Sequence, residues 1–166
     1  MADEQLLELA ARLGDALKAR GLKLALAESC TGGWVAQVVT AIAGSSAWFE
    51  RGFVTYSNEA KLEMLGVSAQ TLGTHGAVSE HTAMEMALGA LHHSHANIAA
   101  SITGIAGPDG GSKAKPVGTV CFAWVNTQAL AESTTLLFKG DREEVRYQSV
   151  KTALEGLLQL TLTTDL

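Results

Sequence analysis

Hydrophobic residues near the start of the chain recur at helical spacing. Leu6, Leu13 and Leu17 fall on one face of a helix, and Gly21 is typical of the position just after a helix ends. The residues between them are mostly polar or small, as expected for the face of a helix that meets water. The pattern predicts a helix over about 3–20.

Short apolar runs and helical segments alternate along the rest of the chain. Runs rich in apolar, aromatic and β-branched residues predict five strands, at about 22–27, 49–57, 97–103, 117–126 and 132–138. Helical spacing and capping residues predict further helices at about 34–43, 59–65, 79–95 and 141–160. The last two strands follow each other directly, which favours an antiparallel pair. This order predicts the α/β class, as a single three-layer α/β/α sandwich over 1–166 with a mixed, mainly parallel central sheet.

Composition narrows the function classes. Hydrophobic residues make up 47% of the 166 residues and charged residues 17%, which excludes a disordered or collagen-like chain. The formal net charge of −5 argues against a nucleic-acid partner held by a broad basic face. The longest stretches without charge are interrupted by small and polar residues, so no membrane span is expected. The acidic start does not resemble a signal peptide and only two cysteines occur, so we expect a cytoplasmic protein.

The first candidate site is the segment Glu28-Ser29-Cys30-Thr31-Gly32-Gly33, between a predicted strand and a predicted helix. Ligands of open α/β sheets bind at the carboxyl ends of strands, and free N–H groups at a helix start can hold an anion or an oxyanion. The two glycines allow close approach of a ligand to the backbone. A hydroxyl here is well placed as a nucleophile, although the segment also fits a structural turn with a Ser or Thr N-cap.

The second candidate site is the segment Tyr56-Ser57-Asn58-Glu59-Ala60-Lys61. With Asn58 as N-cap, Lys61 lies in the first turn of the following helix, where the helix dipole lowers the pKa of a lysine. A lysine that acts as a general base near neutral pH also requires burial. The alternative is a solvated lysine beside Glu59.

The third candidate site is the glycine-rich segment 103–112, Thr-Gly-Ile-Ala-Gly-Pro-Asp-Gly-Gly-Ser, again after a predicted strand. It contains neither the P-loop pattern nor the dinucleotide-binding pattern. It fits a loop that wraps a ligand, and equally a flexible surface loop. Further along, Arg142 and Arg146 lie near a helix start, where they can pair with a phosphate or remain solvated.

Cys30 is an alternative nucleophile to Ser29, because the same helix start would stabilise its thiolate. A Cys–His enzyme would need one of the five histidines, which are His75, His81, His92, His93 and His95. The last three are close in sequence but lack a further cysteine or carboxylate in a ligand pattern. No metal site is therefore predicted.

Six segments, in this order, resemble the CinA C-terminal domain family. They are AESCTGGWVA, GSSAWFERGFVTYSNEAK, GAVSE, SITGIAGPDGG, KPVGTV and GDR. The resemblance covers about residues 5–160 and is much more specific than any single motif. It implies an amidohydrolase that converts nicotinamide mononucleotide (NMN) to nicotinic acid mononucleotide and ammonia in pyridine-nucleotide salvage, without metal or organic cofactor.

The resemblance also implies roles for individual residues. Ser29 is expected to be the nucleophile, Lys61 the base, and Tyr56 a proton relay or a positioning group. The expected substrate-binding residues, which include oxyanion donors and phosphate ligands, are Glu28, Cys30, Thr31, Gly32, Gly33, Asn58, Thr103, Gly104, Ile105, Gly107, Arg142 and Arg146.

Two other function classes remain open at this point. One is a nucleotide-binding module that keeps the pocket without chemistry, and the other is an interaction protein in competence or DNA damage, as the family name suggests. The expected partner is the small molecule NMN, with no nucleic acid and no membrane. A homodimer is expected, with Trp48, Phe49 and Phe53 fitting either its interface or the core.

Overall fold

The computed structural model describes residues 3–164. Its helices are α1 (Glu4–Arg20), α2 (Trp34–Thr40), α3 (Asn58–Leu65), α4 (Ala69–His75), α5 (Glu80–His92) and α6 (Arg142–Thr163). Its strands are β1 (Leu24–Glu28), β2 (Phe49–Val54), β3 (Ile98–Gly104), β4 (Thr119–Asn126) and β5 (Ala131–Leu137). A 3₁₀ turn, Ser45–Ala47, precedes β2.

The strands form one sheet in the order β2-β1-β3-β4-β5. β1 pairs in parallel with both β2 and β3, whereas β4 pairs antiparallel with β3 and with β5. Three neighbouring strands are therefore parallel, and the antiparallel pair forms the other side of the sheet. The carboxyl ends of β1, β2 and β3 meet at one edge, which places the first three candidate segments together.

Helices cover both faces of the sheet, which confirms the three-layer α/β/α prediction. On one face α1, α2 and α6 bury a cluster that includes Leu13, Leu26, Phe122 and Leu157. On the other face α3 and α5 bury a smaller, alanine-rich cluster that includes Ala27, Met86 and Ala99. Trp48 is buried in the first cluster, so this candidate for a dimer interface belongs to the core.

Side-chain caps define several helix ends. Asp141 caps α6 in a reciprocal capping box with Glu144, as the predicted start of that helix requires. The prediction of Asn58 as N-cap of α3 is wrong. Ser57 is the cap, because its hydroxyl accepts the N–H of Ala60, and Asn58 is the first helical residue. Lys61 consequently lies one residue deeper in the helix than the prediction assumes.

Two short elements were not predicted. α4 has seven residues, begins at the cap Ser68 and buries none of its side chains, so it carries no hydrophobic period for a sequence pattern to detect. The 3₁₀ turn before β2 is equally short. Among the described residues, no helix combines the length and hydrophobicity needed to cross a membrane.

Candidate active site

A pocket of about 210 Å³ opens at the carboxyl ends of β1 and β3. Eight residues that the sequence analysis selected line it: Ser29, Cys30, Tyr56, Asn58, Lys61, Thr103, Gly104 and Arg142. Three lining residues were not selected, namely Ala77, Val78 and Ala106. Fold topology therefore brings together residues that are up to 113 positions apart, from Ser29 to Arg142.

Ser29 and Lys61 are in direct contact in this pocket. Lys61 Nζ lies 3.0 Å from Ser29 Oγ. The same nitrogen donates to the backbone carbonyls of Thr55, at 2.8 Å, and Tyr56, at 3.2 Å. Two N–H groups of a neutral lysine can satisfy the two carbonyls, which leaves the nitrogen lone pair directed at the Ser29 hydroxyl. The site therefore has the geometry of a hydroxyl nucleophile with an adjacent amine base.

Lys61 is almost completely buried, with 1% of its surface exposed. Burial lowers the pKa of Lys61 from its ordinary value because it disfavours the ammonium form. Lys61 forms no salt bridge with any of the described residues. The ion pair found among those residues joins Arg51 and Glu50. Desolvation without a carboxylate partner is the condition under which a lysine becomes a base.

Glu28 organises the turn that carries Ser29. Its carboxylate accepts the hydroxyl of Thr31 at 2.6 Å and the N–H groups of Val35 at 2.9 Å and Ala36 at 3.0 Å. It thereby caps the first turn of α2, which has no N-cap side-chain bond of its own because Gly33 occupies that position. Glu28 and Thr31 therefore hold the turn together and are absent from the pocket lining, and their contact with substrate stays a prediction.

The two glycines of the turn have left-handed backbones, with φ of 60° at Gly32 and 100° at Gly33. A side chain at either position would be strained, which explains the glycine pair in conformational terms. Gly32 N–H donates to the Ser29 carbonyl and so closes the turn.

Cys30 borders the pocket, but its thiol is packed in the core. Burial raises the pKa of Cys30 to about 12. A thiol with that pKa is protonated near neutral pH and is a poor nucleophile. Ser29, with an amine in contact, is the better placed of the two neighbours.

Tyr56 contributes to the site in two places. Its carbonyl oxygen accepts a hydrogen bond from Lys61 Nζ and lies 3.5 Å from Ser29 Oγ. Its phenol is 63% exposed and accepts a bond from Arg142 Nη2 at 3.3 Å. Because Lys61 and Ser29 touch directly, the phenol does not lie between them, and the geometry favours the positioning role over the proton relay.

The two candidate arginines occupy different places. Arg142 lines the pocket and donates to the Gly107 carbonyl at 2.7 Å, which connects α6 to the glycine-rich loop. Arg146 lies behind the turn, where it donates to the carbonyls of Cys30 at 3.1 Å and Thr31 at 3.2 Å. Its guanidinium also stacks 5.4 Å from the ring centre of Trp34. Arg146 therefore supports the backbone of the turn and is absent from the pocket lining, and its contact with substrate stays a prediction.

The glycine-rich loop enters the pocket through its first residues. Thr103 and Gly104 line the pocket at the end of β3, whereas Ile105 and Gly107 are absent from the lining. A Cβ at Gly104 would lie 2.7 Å from Val120, so this backbone packs too closely on β4 for any side chain. Gly107 acts indirectly, because its carbonyl holds Arg142.

The residues that sequence reasoning missed are the apolar ones. Ala77 and Val78 come from the GAVSE segment, to which the sequence analysis assigns no function, and Ala106 comes from the glycine-rich loop. Small apolar side chains carry no chemical signature in a sequence. Within residues 3–164 no cluster of three or more His, Cys, Asp or Glu side chains is arranged to hold a metal ion.

Comparison with known proteins identifies the relatives of this chain. Residues 6–161 match the model of the CinA C-terminal domain. The chain is 58% identical over 159 residues to the nicotinamide-nucleotide amidohydrolase PncC of Escherichia coli strain K12, covering 96% of each chain. It is 51% identical over 152 residues to the protein of the same name from Pseudomonas putida, covering 92% of this chain and 94% of the other.

A solved structure shares the fold. The crystal structure of the competence/damage inducible protein CihA from Agrobacterium tumefaciens superposes with a TM-score of 0.94 at 48% identity. The match covers 96% of this chain and 98% of the other.

Proposed function

Because this chain belongs to the CinA C-terminal domain family, we propose that it is an amidohydrolase that converts NMN to nicotinic acid mononucleotide and ammonia, in pyridine-nucleotide salvage. The observation that carries the chemistry is the 3.0 Å contact between buried Lys61 and Ser29 at the bottom of the pocket. The substrate is taken from the names of two relatives whose matches cover 96% and 92% of this chain.

The first half of the reaction forms an acyl-enzyme. Neutral Lys61 accepts the proton of Ser29 Oγ, and the oxygen attacks the carboxamide carbon. The tetrahedral intermediate collapses when the C–N bond breaks, and protonated Lys61 returns the proton to the leaving ammonia. Water then attacks the ester with Lys61 again as base, which releases the carboxylate product and free Ser29.

Backbone amides of the turn are the proposed oxyanion donors. Gly32 N–H is used by the Ser29 carbonyl, and the amides of Val35 and Ala36 are used by Glu28. The amides of Cys30, Thr31 and Gly33 remain next to the nucleophile for this role.

Arg142 is the proposed ligand of the substrate phosphate. It is the arginine that lines the pocket, and a guanidinium is well suited to bind a phosphate in a bidentate way. Asn58, exposed at the first position of α3 and also in the lining, is a further proposed substrate contact.

Release of ammonia from NMN by purified protein in EDTA tests this proposal. Wild type and Cys30→Ala should release ammonia, while Ser29→Ala should lose activity by at least ~10³-fold, because the nucleophile is absent. Cys30→Ala is the matched control, since it changes the adjacent residue of the same turn. Loss of activity in Cys30→Ala with an active Ser29→Ala would refute the serine assignment.

Three alternatives predict different results. A binding module without chemistry would release no ammonia while NMN still raised its melting temperature. A metal enzyme would lose activity in EDTA and regain it with added divalent metal. An amidase for a related nicotinamide compound would prefer that amide over NMN.

The remaining proposals concern the protein in the cell. We expect a cytoplasmic homodimer without a nucleic-acid partner. Sedimentation equilibrium of the purified protein measures the dimer directly.

A further inference from the structure

Part of the pocket lining is apolar and comes from residues distant from Ser29 in sequence. This apolar wall consists of Ala77, Val78 and Ala106, which line the pocket together with the polar set that includes Ser29 and Lys61. Val78 is half-buried and packs on the alanine-rich core cluster, while Ala106 belongs to the larger cluster. The two cores of the protein therefore both support this wall.

Side-chain donors from other elements hold the segment that carries Ala77 and Val78. Lys115 Nζ donates to the His75 carbonyl at 2.7 Å. The hydroxyls of Ser79 and Thr82 donate to the Gly76 carbonyl at 3.0 and 2.7 Å. Thr103 Oγ1 donates to the Ala77 carbonyl at 2.9 Å.

Three consecutive carbonyls thus each receive a side-chain donor. Glu80, which follows the wall at the start of α5, also accepts the hydroxyls of Ser133 and Thr135 on β5. A loop fastened at so many points keeps its position when a ligand enters, and the Thr103 bond connects it directly to the strand end beside the nucleophile.

We propose that Val78, together with Ala77 and Ala106, is the specificity-determining wall against which the aromatic ring that carries the scissile carboxamide lies. This inference rests on the proposed function and adds to it the reason for preferring amides on a flat ring. Contact with the wall contributes binding energy for the ring equally in the ground state and in the transition state. Aliphatic amides lack this contact and are expected to bind poorly.

Steady-state kinetics of Val78→Ala tests the wall. Removal of the two methyl groups should raise KM for NMN about 3- to 10-fold with little change in kcat, because ring contact contributes equally to ground and transition states. The matched control is Val125→Ala, the same change in the same core cluster but at the opposite end of the sheet, paired with Ala99. Val125→Ala should lower stability and leave KM unchanged.

Ribose 5-phosphate has the sugar and phosphate of NMN but no aromatic ring. Its binding therefore distinguishes the contribution of the wall from that of the rest of the pocket. Its inhibition constant should be the same in wild type and Val78→Ala. An unchanged KM in Val78→Ala, or an equal rise in KM and in the inhibition constant, would contradict the proposed contact between the wall and the ring. A wild type inactive on NMN would instead refute the proposed function.

Discussion

At the scale of single residues, the proposed chemistry depends on one buried lysine. Lys61 has its amine bonded to two backbone carbonyls and to Ser29 Oγ, and within residues 3–164 no carboxylate forms an ion pair with it. Burial at this position disfavours the charged ammonium form of Lys61 and favours the neutral amine. By contrast, burial raises the pKa of Cys30, because it stabilises the neutral thiol.

The lowered pKa of Lys61 predicts the pH dependence of the reaction. Only the neutral amine can accept the Ser29 proton, so kcat/KM should rise with pH until it passes the pKa of Lys61, which burial lowers from its ordinary value. Rates measured from pH 5.5 to 9.5, about the stable range of most proteins, check this. Lys61→Arg cannot become neutral and should lose at least ~10²-fold in rate. A flat profile, with chemistry shown to limit the rate, would contradict a lysine base.

At the scale of elements, the proposed base Lys61 is positioned by the packing of α3 on α5. The two helices approach so closely at Gly89 that a Cβ there would lie 2.0 Å from the carbonyl oxygen of Leu65. Leu65 ends α3, the helix that carries Lys61. Similarly, the Glu28 carboxylate fixes the start of α2 and with it the turn of Ser29.

Gly89→Ala should therefore destabilise the protein and disturb the active site. The backbone of α3 must move, at a cost of about 1–3 kcal/mol in the free energy of unfolding, and Lys61 moves with it. Gly73→Ala is the control, because Gly73 in α4 has nothing within 4 Å of a built Cβ. It should be neutral or stabilise by up to ~1 kcal/mol, since alanine favours helix. Urea unfolding and ammonia release measure both effects, and equal stability of the two variants would contradict the close-packing argument.

At the scale of the whole molecule, the sheet decides where function can lie. Three parallel strands end at the edge where the pocket opens, and the hairpin of β4 and β5 completes the sheet on the other side. The formal net charge of −5 gives the molecule no excess of positive charge to attract a polyanion.

The charge balance predicts that the protein does not bind duplex DNA, despite the competence and damage names of its structural relatives. Fluorescence anisotropy with a labelled duplex at low and moderate salt measures this. We expect no saturable binding at ~10 μM protein even in ~50 mM salt, where electrostatic binding is strongest. Binding that is tight in low salt and collapses as salt is added would contradict it.

The sequence determined much of this protein by itself. The order of the strands and longer helices and the α/β/α layers follow from local patterns, because hydrophobic period and turn chemistry are encoded within a few neighbouring residues. The family resemblance of the motifs selected Ser29 and Lys61 as candidate catalytic residues. The N-cap of α3 was misplaced by one residue because Ser57 and Asn58 are both good caps, and only the hydrogen bond to Ala60 distinguishes them.

Tertiary structure alone decided the rest of the site. It brought Arg142 to the pocket and placed Arg146 behind the turn, although the two lie four residues apart on one helix. It made the Glu28 carboxylate a cap of α2, and it brought Ala77 and Val78 into the lining of the pocket that contains Ser29. These outcomes depend on distances between side chains from separate elements. Such distances are set by how the helices pack on the sheet, and no local pattern of residues contains them.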